Sequence, residues 1–176
     1  MNDPGGEAVY LSVAANLDPE KNIRAAMERL CAQVTLEALS AFYRTAAIGR
    51  PEQPDYLNGV ARVRTALAPL ALKRDVLRPI EAALGRVRTA DTCAARPIDL
   101  DILLYGAHVL RNDELNIPDP DIAARPFLRA GLLELDPHMV LPGDLRPLAA
   151  QAPTGEATDL REDRAFTRRL KEQLHL

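Results

Sequence analysis

Ile98-Asp99-Leu100-Asp101-Ile102-Leu103-Leu104-Tyr105 is the clearest strand in the chain. Its first five residues alternate apolar and acidic, the period of an extended backbone with one buried face. Leu100 and Ile102 then point into a core. Asp99 and Asp101 share the other face, their α-carbons about 6.5–7 Å apart. Upstream, residues 70–84 predict a helix with Leu77, Ile80 and Leu84 on one side. Pro79 interrupts it, removing a backbone donor and predicting a kink or a new start, and Gly85 is the expected stop. Residues 85–97 read as a polar, mobile loop.

Farther upstream, residues 58–65 alternate as a strand and residues 46–55, with Gly49, Pro51 and Pro54, form a loop. Residues 35–43 predict one strand with imperfect alternation. Residues 8–13 predict a buried first strand. Between them Asp18 is an expected helix cap, with Pro19 and Glu20 suited to the first turn. Ile23, Ala26, Met27 and Leu30 then share one helix face to about residue 32. Downstream, residues 106–125 hold short extended pieces between turn residues, and Phe127-Leu128 with Leu132-Leu133 predicts a short helix ending near Asp136-Pro137. The order β-α-β-β-α-β points to a ferredoxin-like α+β sandwich, an antiparallel sheet covered by helices. Residues 1–150 are expected to form a single domain. Residues 151–176 form a charged extension, expected to be helical, with Leu160, Phe166 and Leu170 as packing points.

The chain has 176 residues, 47% of them hydrophobic and 27% charged, enough for a core without disulfide or metal staples. Twenty-two Lys and Arg against 25 Asp and Glu give a net charge of −3, which argues against a broad nucleic-acid surface. Trp is absent and aromatics are 4%, so a stacking platform for single strands is unsupported. Cys31 and Cys93 form no disulfide framework, the amino terminus lacks the pattern of a signal peptide, and no apolar run reaches about 18 residues. A cytoplasmic protein with reduced thiols and no membrane partner is expected.

Two carboxylates on one strand face repel unless a cation lies between them, the principle of an oxygen-ligand Mg²⁺ site. A bare Asp-x-Asp serves equally as a solvated strand face. Here, however, Arg86 and Arg88 lie upstream and Arg96 sits three residues before Asp99. Guanidinium groups suit phosphate oxygens, so the cluster suggests a nucleoside triphosphate site; surface ion pairs are the alternative. The phosphate-binding pattern G-x-x-x-x-G-K-[ST] is absent.

Four blocks then follow in order: Phe42-Tyr43-Arg44-Thr45, Gln53-Pro54-Asp55-Tyr56-Leu57-Asn58, Gly85-Arg86-Val87-Arg88 and Arg96-Pro97-Ile98-Asp99-Leu100-Asp101-Ile102-Leu103. Together they resemble 6-hydroxymethyl-7,8-dihydropterin pyrophosphokinase of folate synthesis, over about residues 9–148. The resemblance implies transfer of pyrophosphate from ATP to the pterin hydroxymethyl group, with Asp99 and Asp101 holding two Mg²⁺ ions. It implies that Arg86 and Arg96 neutralise the transferring phosphates and that Arg88 lies in a mobile loop. Tyr56 and Phe127 would sandwich the pterin ring and Asn58 would bond its polar edge. Thr45, Ala46 and Ile48 would line the pocket, with Glu81, Ile102 and Arg125 toward the nucleotide. Pterin and ATP are the expected partners of a monomer.

Three departures stand out. Ala14-Ala15-Asn16-Leu17 replaces the family's Gly-Ser-Asn-Leu, Cys93-Ala94-Ala95 replaces Trp-Gly-Pro, and Asp119 replaces a histidine after Pro118. The second removes a stacking lid, and the third sets an acid near the phosphates. The alternatives are a catalytically degenerate pterin- or nucleotide-binding module, and the same chemistry on a modified pterin.

Overall fold

A computed structural model describes residues 5–88, 90–91, 93–154 and 160–176. The amino-terminal tetrapeptide and residues 155–159 of the charged extension lie outside the described residues. The elements run β1 (Glu7–Ala15), α1 (Pro19–Cys31), β2 (Thr35–Leu39), β3 (Tyr43–Thr45) and β4 (Tyr56–Thr65). Next come α2 (Pro69–Ala71), a π-helical stretch (Leu72–Leu77), α3 (Arg78–Ala83) and β5 (Asp99–Tyr105). The chain continues through β6 (Leu110–Arg111), β7 (Asn116–Ile117), α4 (Asp121–Ala124), α5 (Pro126–Leu135), β8 (Arg161–Glu162) and α6 (Arg164–Gln173). The main sheet runs β5-β1-β4-β3-β8, with β2 also paired to β4. The β1, β4 and β5 pairings are antiparallel. With β2 and β3 counted as one broken strand, this is the 4-1-3-2 order expected for β-α-β-β-α-β.

Alternation along β1 sorts the two faces. Val9, Leu11, Val13 and Ala15 are fully buried, and with Leu57, Ala61, Val63, Leu100 and Ile102 they meet Ile23, Met27 and Leu30 of α1 and Ile80 of α3. On the other face Val60 gathers with Leu103, Leu104, Leu128 and Leu132 beneath α4 and α5. Gly131 permits that approach, since a Cβ there would lie 2.7 Å from Val60 Cγ2. The helices α4 and α5 cover only part of this face. The remainder, around Ala14, Asp99 and Asn58, forms a groove.

Several local expectations are corrected. Asp18 sits at φ 41°, a left-handed conformation in which its side chain caps nothing; its carbonyl instead accepts the Asn22 N–H at 3.0 Å. The strand expected over residues 35–43 breaks at Ser40. There the Ser40 hydroxyl replaces a ladder carbonyl by accepting the Val60 N–H at 2.9 Å, and the chain turns so that Phe42 enters the core. Pro79 does reset the helix: it stands in the first turn of α3, which begins at Arg78 after the π-helical stretch. The missing donor is absorbed by π turns before it, where the Arg78 N–H reaches back five residues to the Lys73 carbonyl. Gly85, at φ +88°, does end the helix.

The carboxy-terminal residues join this architecture. β8 pairs with β3, and Phe166 and Leu170 of α6 are buried in the main core. Asp163 caps α6 by accepting the Phe166 N–H at 3.0 Å. Burial pushes the Asp163 carboxyl up, but that N–H, Arg44 and Arg169 outweigh it and hold the carboxyl below its ordinary value.

Two outcomes follow from this packing. A Cβ on Gly59 would fall 2.8 Å from the Phe42 ring, so Gly59→Ala should cost about 1–3 kcal/mol in urea unfolding. For Asp163, whose folded value is depressed, the stabilisation is fully present above the ordinary carboxylate range. It is lost as pH falls through the lowered value, so the stability gap between wild type and Asp163→Asn should shrink toward acid.

Candidate active site

The exposed face of the sheet is set by register. Asp99 of β5 stands opposite Ala14 of β1, Ala14 opposite Asn58 of β4, and Asn58 opposite Tyr43 of β3. Register partners project to the same face, and strands lie about 4.8 Å apart, so Asp99 and Asn58 flank Ala14 across roughly 10 Å. Ala14, the small residue between them, is half-buried.

At one end of the groove charge is concentrated. Arg86 bridges Asp99 and Glu81, and Arg96 bonds the other Asp99 oxygen. Glu81 is only 2% exposed, accepting the Leu100 N–H at 2.9 Å and Arg88 at 2.7 Å. It thus ties the α3 terminus and the following loop to the outer edge of β5. Three carboxylates and three guanidinium groups balance formally, yet the pairing is uneven. Among the described residues no hydrogen bond or ion pair reaches Asp101. Burial, followed by Asp99 and Glu81, pushes its carboxyl up to about 7, with Lys73 and Arg86 opposing.

The other end is an amide and hydroxyl pocket. Asn58 is 3% exposed and donates to Thr45 Oγ1 at 2.9 Å. Tyr56 is half-buried, and burial raises its phenol pKa, with Arg96, Asp99, Cys93 and Arg86 near enough to act on it. Tyr56 therefore borders both ends.

Sequence reasoning passed over the residue that ties the surrounding loops together. Asn16 is 1% exposed at the end of β1. Its amide donates to Gln53 Oε1 at 3.1 Å and accepts the Arg96 N–H at 2.8 Å, while its backbone N–H bonds the Arg96 carbonyl at 3.1 Å. Gln53 in turn donates to the Cys93 carbonyl at 2.9 Å. One amide thus joins the loop before β4 to the loop before β5. A polar residue closing an apolar strand was the available signal.

Other expected site residues are dispersed. Ala46 and Ile48 are exposed, Ile48 by 74%, on the loop after β3. Phe127 is half-buried at the start of α5, against the second core cluster. Arg125 pairs with Asp121 at 2.8 Å, outside the Asp99 cluster. Ile102 is buried in the main core, on the face opposite Asp101. Asp119 donates its N–H to the Leu103 carbonyl at 2.9 Å, and burial pushes its carboxyl up. A separate cavity of about 420 Å³ opens at the far end of β5, lined by Tyr10, Leu104, Met139 and Leu141. It lacks the groove's arginine–carboxylate chemistry.

Removing the Asn16 amide would take away the side-chain acceptor of the part-buried Arg96 N–H. Asn16→Ala should lower stability by about 1–3 kcal/mol and accelerate hydrogen exchange at the Arg96 amide. Unchanged exchange there would show the loops to be held by other contacts.

The chain is similar in sequence to known proteins of one kind. The chain is 38% identical over 136 residues to the 2-amino-4-hydroxy-6-hydroxymethyldihydropteridine pyrophosphokinase of Haemophilus influenzae, covering 76% of this chain and 84% of that one. It is 39% identical over 140 residues to the protein of the same name from Pseudomonas aeruginosa, covering 77% and 85%. The Plasmodium falciparum wild-type HPPK-DHPS crystal structure superposes with a TM-score of 0.64 at 12% identity, supporting the fold. All of this chain is covered there, but it spans only 47% of that longer chain. A family profile matches residues 10–137, which contain the groove from Ala14 to Asp101 and the helix bearing Phe127, so the chain belongs to the 7,8-dihydro-6-hydroxymethylpterin-pyrophosphokinase family.

Proposed function

We propose that this chain transfers pyrophosphate from ATP to the hydroxymethyl group of 6-hydroxymethyl-7,8-dihydropterin, releasing AMP, in folate biosynthesis. The observation that carries the reading is the row Asp99–Ala14–Asn58, which sets a phosphate-type end and a heterocycle-type end on one floor. That span suits a pterin whose hydroxymethyl group must reach a polyphosphate.

At the charged end Arg86 and Arg96 would exchange their carboxylate partners for phosphate oxygens, while Glu81 keeps Arg88 and the loop close. The donor set fits a hard divalent cation: among the described residues no hydrogen bond or ion pair reaches Asp101, and its neighbour Asp99 shares its strand face. No group of three or more His, Cys, Asp or Glu among the described residues is arranged to hold a metal ion by itself. The remaining oxygen ligands would thus come from ATP and water. Asp99 and Asp101 would hold two Mg²⁺ ions, which supply neutralisation of the bridging phosphate oxygens when bound.

At the other end Asn58, with Thr45, would bond the polar edge of the pterin, and Tyr56 and Phe127 would take its two faces. Ala46 and Ile48 would complete the rim, with Ile102 and Arg125 toward the nucleotide. The hydroxymethyl oxygen attacks the β-phosphorus as the bond from that phosphorus to the α-phosphate oxygen breaks. AMP leaves, and the hydroxyl proton passes to solvent. No covalent enzyme intermediate is required. The protein contributes alignment and charge stabilisation, the latter from Arg86 and Arg96. A monomer in the cytoplasm, with neither nucleic acid nor membrane as partner, completes the reading.

The test is AMP release from ATP and Mg²⁺, with and without the pterin. Wild type should release AMP only with pterin, and Asp99→Ala/Asp101→Ala should lower the rate by about 100-fold or more. Chelation with EDTA should abolish release and added Mg²⁺ restore it. Pterin and ATP binding without AMP would instead identify a binding module in which Asp119 and the Cys93-Ala94-Ala95 loop mark lost catalysis.

A further inference from the structure

The chain following the matched residues reaches back to the strand that carries Thr45. β3 has three residues and is bonded to β4 on one side. Its other edge is taken by β8, where Tyr43 stands opposite Glu162 and Arg44 opposite Arg161. So short a strand has few ladder bonds of its own, and an edge left open gains none.

Side chains of the same segment complete the hold. The Thr167 hydroxyl donates to the Asp163 carbonyl at 2.9 Å and accepts the Phe42 N–H at 2.9 Å. The Asp163 N–H donates to the Phe42 carbonyl at 2.8 Å. Both polar atoms of the Phe42 backbone, just where the chain leaves the core for β3, therefore depend on α6 and its cap. The Asp163 carboxylate binds Arg44 at 2.7 Å, and Arg44 also reaches Glu20 of α1. Phe166 meets Phe42 edge to face at 5.3 Å. Arg161 pairs with Asp55, the residue before Tyr56. Thr45 and Tyr56 stand opposite each other, so both sides of the pocket mouth are held from the carboxy terminus.

We propose that residues 161–173 are a positioning element of the pterin end of the groove, with Thr167 and Asp163 holding β3 so that Thr45 meets Asn58. The proposal rests on the pterin reading given above. It assigns pterin affinity, but not ATP affinity, to a segment that touches neither substrate. Among the described residues Arg86 pairs with Glu81 and Asp99, and none of Arg86, Asp99 and Asp101 makes an ion pair with α6, which points the effect to one subsite.

The experiment compares full-length wild type, Thr167→Val, Thr167→Ser and Asp163→Asn. Pterin Kd is read by fluorescence titration, alongside KM for each substrate and kcat. Thr167→Val removes only the hydroxyl and should raise pterin Kd and KM about tenfold, leaving kcat and the ATP KM within about twofold. Thr167→Ser should restore wild-type values, and Asp163→Asn should fall between. A lowered Tm with unchanged pterin Kd would overturn the proposal, because the helix would then be structural alone. Equal movement of both KM values and kcat would overturn it as well. Wild type that binds pterin yet releases no AMP would sink the transfer reading, while the Kd series still decides this one. Wild type that binds no pterin would sink both.

Discussion

The antiparallel register of β1 between β4 and β5 is the constraint on which the site depends. Sliding β1 by one residue would turn Val9, Leu11, Val13 and Ala15 out of the core and put a core residue on the groove floor. Burial of those four side chains thus enforces the alignment of Asp99, Ala14 and Asn58. The chemistry inherits its geometry from hydrophobic packing on the opposite face. Part of the groove face itself is covered by α5, which approaches closely because Gly131 has no side chain to strike Val60. Where the helix ends, the groove begins.

Charge is organised around Glu81 and Asp99. A buried carboxylate is costly unless it is bonded, and Glu81 meets that demand with a strand N–H and two arginines. In doing so it brings the loop after α3 to the edge of β5. Asp99 is bonded by both Arg86 and Arg96, whereas among the described residues no ion pair reaches Asp101, on which Lys73 and Arg86 act only at longer range. In the reading proposed above, the uneven pairing would favour a divalent ion and the arginines would favour phosphate. Burial likewise pushes up the carboxyl of Asp119, against the opposing Asp121 N–H, Arg125 and Lys73.

The loops and the tail use another economy, in which one small side chain serves several backbone groups. Asn16 joins two loops through a single amide, and Thr167 uses one hydroxyl as both donor and acceptor. Such residues carry little hydrophobic signal and touch no substrate in the reading offered here. They decide whether residues far apart in sequence stand where the groove needs them.

Much was legible in the chain itself. The alternation at Ile98–Asp99–Leu100–Asp101–Ile102, the period of α1 and the order of strands and helices determined the α+β class, since side-chain period follows directly from local backbone geometry. The Asp pair, its nearby arginines and the Gln-Pro-Asp-Tyr-Leu-Asn block pointed to the family because they combine specific chemistry in a specific order. Local sequence did not disclose the break at Ser40, where a hydroxyl substitutes for a carbonyl of the β4 ladder, nor the π turns that absorb Pro79. It did not disclose that Asp18 leaves its helix uncapped, or that α6 reaches β3. Each of these depends on a partner many residues away or on a backbone conformation that the surrounding packing selects. Sequence determined which groups were available; only the tertiary structure decided which of them met, because hydrogen bonds and ion pairs are made across space and not along the chain.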